Sequence, residues 1–269
     1  MSFLGKEVRL ARLFNRESGR LFTVAFDHGV NRGVLPGIER VGEKVAAVVA
    51  GGVDAVTLNK GIAERVFPAH AGKVSLIMKS TGFSPYHKTY DAWYADVEEA
   101  IRLGADAISM GVILGEERQP EMLHHLGLLT KEAASVGLPV IAHIYPAGPL
   151  IADDQRYLPA TIAYCARVGA ELGVDVVKTW YTGSPETFAQ VVEACPAKVV
   201  VAGGPKMDHP EDLFATTRDA IQAGAAGVTY GRNVWQYDDP TAMVQALKAI
   251  IHRQGTPAEA MHILEAAAC

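Results

Sequence analysis

Three consecutive segments decide the fold: PVIAHIY (139–145), LPATIAYCARVGAELG (158–173) and DVVKTW (175–180). The first and last are short, apolar and rich in β-branched residues, as strands covered on both faces are. The middle one has helical periodicity, with Pro159 at its start and Gly173 at its end, where helix boundaries place them. Strand, helix and strand in that order make a right-handed parallel crossover. Outward from this unit, similar strands recur at 21–26 (LFTVAF), 55–59 (AVTLN), 74–80 (VSLIMKS), 107–112 (AISMGV), 198–204 (KVVVAGG) and 227–232 (GVTYGR). Helical stretches fall at 37–50, 92–104, 120–137, 184–194, 209–224 and 240–251. Eight strand–helix units close into a (β/α)8 TIM barrel, an α/β fold of about 250 residues. The expected organisation is one domain over residues 1–269 with the barrel at about 20–252. An N-terminal helix and a short helical C-terminal tail lie outside it. The junctions LGADAI (103–108), LGVDVV (172–177) and AGAAGV (223–228) repeat weakly, each placing a helix-ending glycine before small residues that lead into a strand.

With 25 basic and 30 acidic residues the net charge is −5, so neither nucleic acid nor an anionic membrane is an expected partner. A hydrophobic share of 49% against 20% charged supplies a core and excludes a disordered chain. Three cysteines, Cys165, Cys195 and Cys269, are an odd number without metal-type spacing, which suits a reducing compartment and a cytoplasmic protein. The most apolar stretch, 45–56, is broken by Gly51, Gly52 and Asp54 and is too short to span a bilayer. Near the N-terminus, Lys6, Arg9, Arg12, Arg16 and Arg20 alternate with Leu4, Val8, Leu10, Leu13 and Phe14, which reads as an amphipathic helix rather than a signal peptide.

In such a barrel the chemistry sits at the C-terminal strand ends. Lys178 directly follows Val176 and Val177, so its amine reaches the barrel mouth. Desolvation and neighbouring cations favour the neutral amine, the form that attacks a carbonyl to make a Schiff base. Lys60 and Lys79 hold similar positions, and location alone does not choose among the three; a lysine that snorkels to solvent is the plain alternative. Ile141, His143 and Tyr145 share one face of their strand, and the Tyr145 phenol there could exchange protons with a substrate hydroxyl or simply line the rim. Asp27, on the face of Thr23 and Ala25, could assist proton transfer or cap the next helix. GGPK (203–206) and GR (231–232) put glycine-rich turns after the last two strands, where backbone N–H groups bind phosphate; Arg232 would add a bidentate contact and Lys206 a point charge. His28, His70, His87 and His143 are scattered without metal-type pairing, and His124 and His125 are helix neighbours that do not share a face, so no metal is expected.

Taken in order, FDHGV (26–30), IYPAG (144–148), VVKTWYTG (176–183), VAGGPK (201–206) and YGRNVWQ (230–236) resemble the Schiff-base aldolases of the DeoC/FbaB (DhnA-type) group. That group includes archaeal-type class I fructose-bisphosphate aldolases and 2-amino-3,7-dideoxy-D-threo-hept-6-ulosonate synthases. The resemblance covers about residues 20–250. It implies a TIM barrel, Lys178 as the Schiff-base lysine, Tyr145 as acid/base and Asp27 assisting. It further implies that Gly203, Gly204, Gly231 and Arg232 hold the phosphate of a sugar-phosphate substrate, with no cofactor beyond the covalent Schiff base. The expected activity is cleavage or formation of a C–C bond in a phosphorylated ketose such as fructose 1,6-bisphosphate, with a dihydroxyacetone-phosphate-like donor. Aldol transfer to an aspartate semialdehyde-type acceptor, or acyl transfer, is the alternative. The group's usual Tyr-Pro-Arg-Gly stands here as Tyr145-Pro146-Ala147-Gly148, without the arginine, and KSTGFSP (79–85) is closer to the heptulosonate synthases. Barrels of this kind commonly assemble, so a homo-oligomer is expected. The rival readings are a metal-dependent lyase using His28 and His143 and a non-catalytic sugar-phosphate binder.

Overall fold

The strands that alternation picks out do close on one another. In the computed structural model, which describes residues 4–267, eight parallel strands form a barrel in the order β1-β10-β9-β8-β7-β6-β3-β2. These are β1 (Leu21–Ala25), β2 (Ala55–Asn59), β3 (Ser75–Lys79), β6 (Ala107–Ile113), β7 (Val140–Tyr145), β8 (Val176–Thr179), β9 (Lys198–Ala202) and β10 (Gly227–Tyr230). The remaining two, β4 (Thr81–Ser84) and β5 (His87–Trp93), make an antiparallel hairpin at the end of β3. The helices are α1 (Leu4–Leu13), α2 (His28–Arg32), α3 (Val41–Gly51), α4 (Lys60–Val66), α5 (Val97–Arg102), α6 (Gln119–Val136), α7 (Pro159–Glu171), α8 (Pro185–Ala194), α9 (Pro210–Gln222), α10 (Arg232–Trp235), α11 (Pro240–Arg253) and α12 (Pro257–Ala267). Among the described residues no helix is long and apolar enough to cross a membrane. Cys165 and Cys195 are buried thiols, and Cys269 lies outside the described residues.

The barrel strands match the apolar runs in the sequence, and the differences lie between them. The helix expected at 92–104 begins only at Val97, because Ala92 and Trp93 belong to the hairpin and Asp96 starts the helix with a capping box closed by Glu99. Residues 203–204 and 231–232, read as strand, lie beyond the ends of β9 and β10, and Arg232 opens α10.

Each strand sends one set of side chains outward against the helices and the other inward. The outward set, such as Val24, Val56, Met78, Met110, Ile144, Val177, Val201 and Val228, joins the main core. The inward set at the N-terminal end, Leu21, Ala55, Ile77, Ala107, Ile141, Val176 and Val200, forms a separate apolar floor with Leu13 of α1. The amphipathic first helix is thus the plug of the barrel. Two of the repeated junctions, LGADAI and LGVDVV, and the similar GGVDAV (51–56) gain a meaning that spacing did not show. Asp54, Asp106 and Asp175 each precede a strand and accept the backbone N–H of the neighbouring one, at Phe22, Leu76 and Val140 respectively. Each also faces a basic side chain: His252 at 3.1 Å, Arg12 at 3.3 Å and Lys6 at 2.9 Å.

Floor packing outweighs these rim ion pairs. Leu13 is fully buried, so Leu13→Ala is expected to cost about 2–5 kcal/mol. Lys6→Ala, which breaks a partly exposed pair, is expected to cost about 1 kcal/mol or less. Chemical denaturation of the two variants measures the difference.

Candidate active site

Directly above the floor the inward-facing set turns polar: Thr23, Thr57, Lys79, Ser109, His143, Lys178 and Thr229, all buried. Period two along each strand produces this layer, since every one of these residues stands two positions beyond a floor residue or at the matching register. Lys178 is only 8% exposed, next to His143 in register on β7 and Val200 on β9. Burial brings its amine down to about 8, with the charges of Lys79 and Arg232 pushing the same way and Asp27 opposing. Near neutral pH a useful fraction of this amine is therefore unprotonated and nucleophilic.

Three further groups converge on it. Burial works to raise the Asp27 carboxyl, but His28, Lys178 and Lys79 outweigh it and hold it below the usual range. Asp27 precedes α2 yet makes no side-chain cap, so helix capping does not account for it. Tyr145 is partly buried at the end of β7, its phenol held well above its ordinary range by burial and by Asp27 and Asp91, so it keeps its proton. Its ring stacks on Trp180 at 5.4 Å, and Trp180 stacks on Tyr157 at 4.8 Å, a ladder that orients the phenol. Lys79 is 2% exposed and lies 3.5 Å from His143 Nδ1. Burial and the two lysines keep His143 neutral, able to accept from the Lys79 ammonium. Lys60 points elsewhere: its ammonium binds the Tyr94 carbonyl at 2.9 Å and Glu99 at 2.6 Å, tying the hairpin to α5.

The expected phosphate corner lies beside this group, at the ends of β9 and β10. Gly204 has φ +65° and open space around it, so its turn needs glycine and leaves its backbone accessible. Gly203 packs on the Tyr230 ring. Asn233 organises the loop: its amide donates to the Gly203 and Pro205 carbonyls at 2.7 and 3.0 Å, and its oxygen accepts from Met207 N–H at 2.7 Å. Over Gly231 the His28 ring takes the volume a side chain would need, 2.5 Å from where a Cβ would stand. Arg232 is half-buried with its Nε unpartnered and the Arg32 charge close by, and Lys206 is exposed. An unpartnered arginine nitrogen at the start of α10 and a glycine turn with accessible backbone are groups that suit an anion. Among the described residues no three His, Cys, Asp or Glu side chains gather as a metal would require. A groove of about 910 Å³, lined by Arg12, Asp54, Lys73, Arg102 and Asp106, lies at the opposite, floor end of the barrel.

Asp27, Tyr145 and Lys178 are thus brought together, with Gly203, Gly204, Gly231 and Arg232 alongside. Sequence reasoning missed Asp91, which the hairpin delivers, and the loop-holding role of Asn233. The hairpin's signal was legible in GFSPYHKTYDAW (82–93), β-prone residues around a Pro-containing turn. Lys178 labelling by an amine-directed reagent, followed by mass spectrometry over a pH series, is expected to rise through about pH 8. Removing a nearby cation stabilises the charged amine, so Lys79→Met moves the inflection up; removing the anion in Asp27→Asn moves it down.

The chain matches the model of the DeoC/LacD family aldolases over residues 21–237. It is 37% identical over 253 residues to a 2-amino-4,5-dihydroxy-6-oxo-7-(phosphonooxy)heptanoate synthase of Streptomyces griseus, covering 93% of this chain and 92% of that one. It is 36% identical over 263 residues to a 2-amino-3,7-dideoxy-D-threo-hept-6-ulosonate synthase of Halobacterium salinarum, covering 97% of each. An archaeal fructose 1,6-bisphosphate aldolase superposes with a TM-score of 0.84 at 31% identity, over 93% of this chain and all of that one. A second structure of such an aldolase, at 30% identity over 92% of this chain and 99% of that one with the same TM-score, has its catalytic lysine covalently bound to the carbinolamine intermediate of the substrate. The barrel, the lysine-centred polar layer and these likenesses agree, and the chain belongs to the DeoC/LacD family of class I aldolases.

Proposed function

We propose that Lys178 forms a Schiff base with a three-carbon phosphorylated ketone and adds it to an aldehyde, or runs the reverse cleavage. The observation that carries this reading is the buried Lys178 amine, brought down to about 8 beside the Gly203–Gly204–Arg232 corner. The corner holds the donor phosphate and so fixes the ketone against the amine, a positioning gain of up to ~7–11 kcal/mol. Lys178 attacks the ketone carbon and the carbinolamine loses water to give an iminium. That electron sink releases the α-proton to the ionised Asp27 carboxylate, and the enamine carbon attacks the aldehyde. The aldehyde oxygen takes the Tyr145 proton and becomes the new hydroxyl, and water then frees the ketone product and the amine. Asp27 then returns its proton to the Tyr145 oxygen, and in cleavage the same transfers run in reverse, Tyr145 taking the hydroxyl proton after passing its own to Asp27.

The names of the two relatives describe seven-carbon products with a C1 carboxylate, a C2 amine, hydroxyls at C4 and C5 and a ketone at C6. A β-hydroxyketone of that kind disconnects between C4 and C5. With a phosphate on C7, the fragments are dihydroxyacetone phosphate and 2-amino-4-oxobutanoate (aspartate semialdehyde). We take this pair as substrates. The second reading, fructose 1,6-bisphosphate, is favoured by the likeness to the archaeal aldolases. It is less well supported, because Ala147 stands where the group's arginine would meet the far side of the substrate.

Borohydride added with dihydroxyacetone phosphate is expected to fix a three-carbon phosphate adduct on Lys178, read by mass spectrometry. Lys178→Met should lose the adduct and on the order of 10³-fold or more in turnover. Tyr145→Phe should keep the adduct while turnover falls ~10²–10⁴-fold. Full activity in Lys178→Met, or complete loss of activity on chelation without any adduct, would overturn this reading. Comparing fructose 1,6-bisphosphate cleavage with condensation onto 2-amino-4-oxobutanoate decides the acceptor.

A further inference from the structure

Asp91 is absent from the chemistry above, yet it lies in the same mouth. It belongs to β5 of the hairpin, not to a barrel strand, and is 3% exposed. Gly111 is the inward-facing position of β6 at the mouth, two residues beyond Ser109. The Asp91 carboxylate fills the space that a side chain at 111 would take, its Oδ2 and Oδ1 at 2.4 and 2.7 Å from where a Cβ would stand. The hairpin therefore delivers an acid into the barrel interior through a glycine-sized gap. One side of that carboxylate is met by the Thr81 hydroxyl, which also accepts the Gly111 N–H at 2.7 Å. Oδ1 has no hydrogen-bond partner. Lys79 acts on Asp91 through its charge, while its ammonium lies beside His143 Nδ1. Burial pushes the Asp91 carboxyl up, as expected of an acid short of a cation.

The order of groups around the barrel adds a direction. From β10 and β9, which carry the phosphate corner, the ring runs through β8 with Lys178 and β7 with Tyr145 to β6, where Asp91 sits; β6 stands diametrically opposite β10. Along the proposed product the order is phosphate on C7, ketone at C6, hydroxyl at C4 and amine at C2. Phosphate, Lys178 and Tyr145 already occupy the first three places in that order, and the fourth place on the ring falls to the unpartnered carboxylate.

Resting on the proposed function, we infer that Asp91 is the acceptor-specificity residue, its carboxylate receiving the ammonium of an α-amino aldehyde. A buried carboxylate that gains an ammonium gains a charge-assisted hydrogen bond, and an aldehyde lacking the amine leaves it unpaired. Sites built in this way discriminate strongly against the analogue that lacks the group. It also explains why the hairpin is inserted at β3 and why position 111 is glycine.

The test compares 2-amino-4-oxobutanoate with 4-oxobutanoate, which lacks only the amine, each with dihydroxyacetone phosphate, in wild type and Asp91→Asn. The near-isosteric variant should still form the borohydride-trapped donor adduct, which reports its folding and its donor half-reaction together. Its KM for the amino aldehyde should rise at least about tenfold with kcat changed less, while KM for 4-oxobutanoate stays as in wild type, so the preference collapses. Equal effects on both aldehydes, no effect on either, or loss of the donor adduct in Asp91→Asn would overturn the assignment. A wild-type enzyme that traps no donor would instead overturn the proposed function itself, and the two failures are distinct.

Discussion

Everything above the barrel floor depends on the apolar layer that closes it. Leu21, Ala55, Ile77, Ala107, Ile141, Val176 and Val200, sealed from below by Leu13, keep water from reaching the barrel interior through its N-terminal end. A lysine loses its proton near neutrality only when water and counter-charge are scarce, and Lys178 meets that condition because its solvation has been exchanged for barrel wall. The same shielding strengthens the mutual influence of Lys178, Lys79, Asp27 and His143, which in water would be nearly independent groups. The Asp54, Asp106 and Asp175 pairings hold the strand starts in register, and register decides which residues share the layer.

Charge in this layer is arranged asymmetrically. Asp27 is held ionised by surrounding cations and Tyr145 keeps its proton, while burial raises the Asp91 carboxyl and the charge of Lys79 and the Thr81 hydroxyl oppose that rise. Such divergence between neighbouring acids is how one pocket supplies both an anion and a proton donor at a single pH. Arg232 stands at the end of β10, across the barrel from β6, beside the glycine turns that leave backbone accessible, and the Arg32 guanidinium, which lies over the Phe83 ring of the hairpin, acts on it through charge. With Asp91 as the proposed acceptor-specificity residue, a substrate bearing a phosphate at one end and a cation at the other would be complementary to that distribution.

Much of this was legible in residue order. Lys178 was singled out because two valines precede it in a buried strand, and Asp27 and Tyr145 because they end strands on the inward face. The glycines at 203, 204 and 231 were legible because the position of phosphate-binding turns in this fold is regular. Only the hairpin's last residues, Ala92 and Trp93, fall in the helix expected at 92–104, since the periodicity there is dominated by the true helix from Val97 onward, and the rest of the hairpin has no counterpart in the sequence reading. Lys60 and Lys79 were indistinguishable by position. The structure separates them, because Lys60 ends on Glu99 outside the barrel and Lys79 faces inward beside His143.

By itself the sequence determined the barrel, an amphipathic first helix and the strand ends where chemistry would gather, because strand periodicity and turn chemistry are local and the closure of eight such units follows from them. It could not determine which distant segments share the interior. That Asp91, on a hairpin outside the barrel sheet, occupies the gap over Gly111, and that His28 does the same over Gly231, are facts about volume. No periodicity encodes them. Only the packed tertiary structure decides where a missing side chain leaves room for another segment's charge.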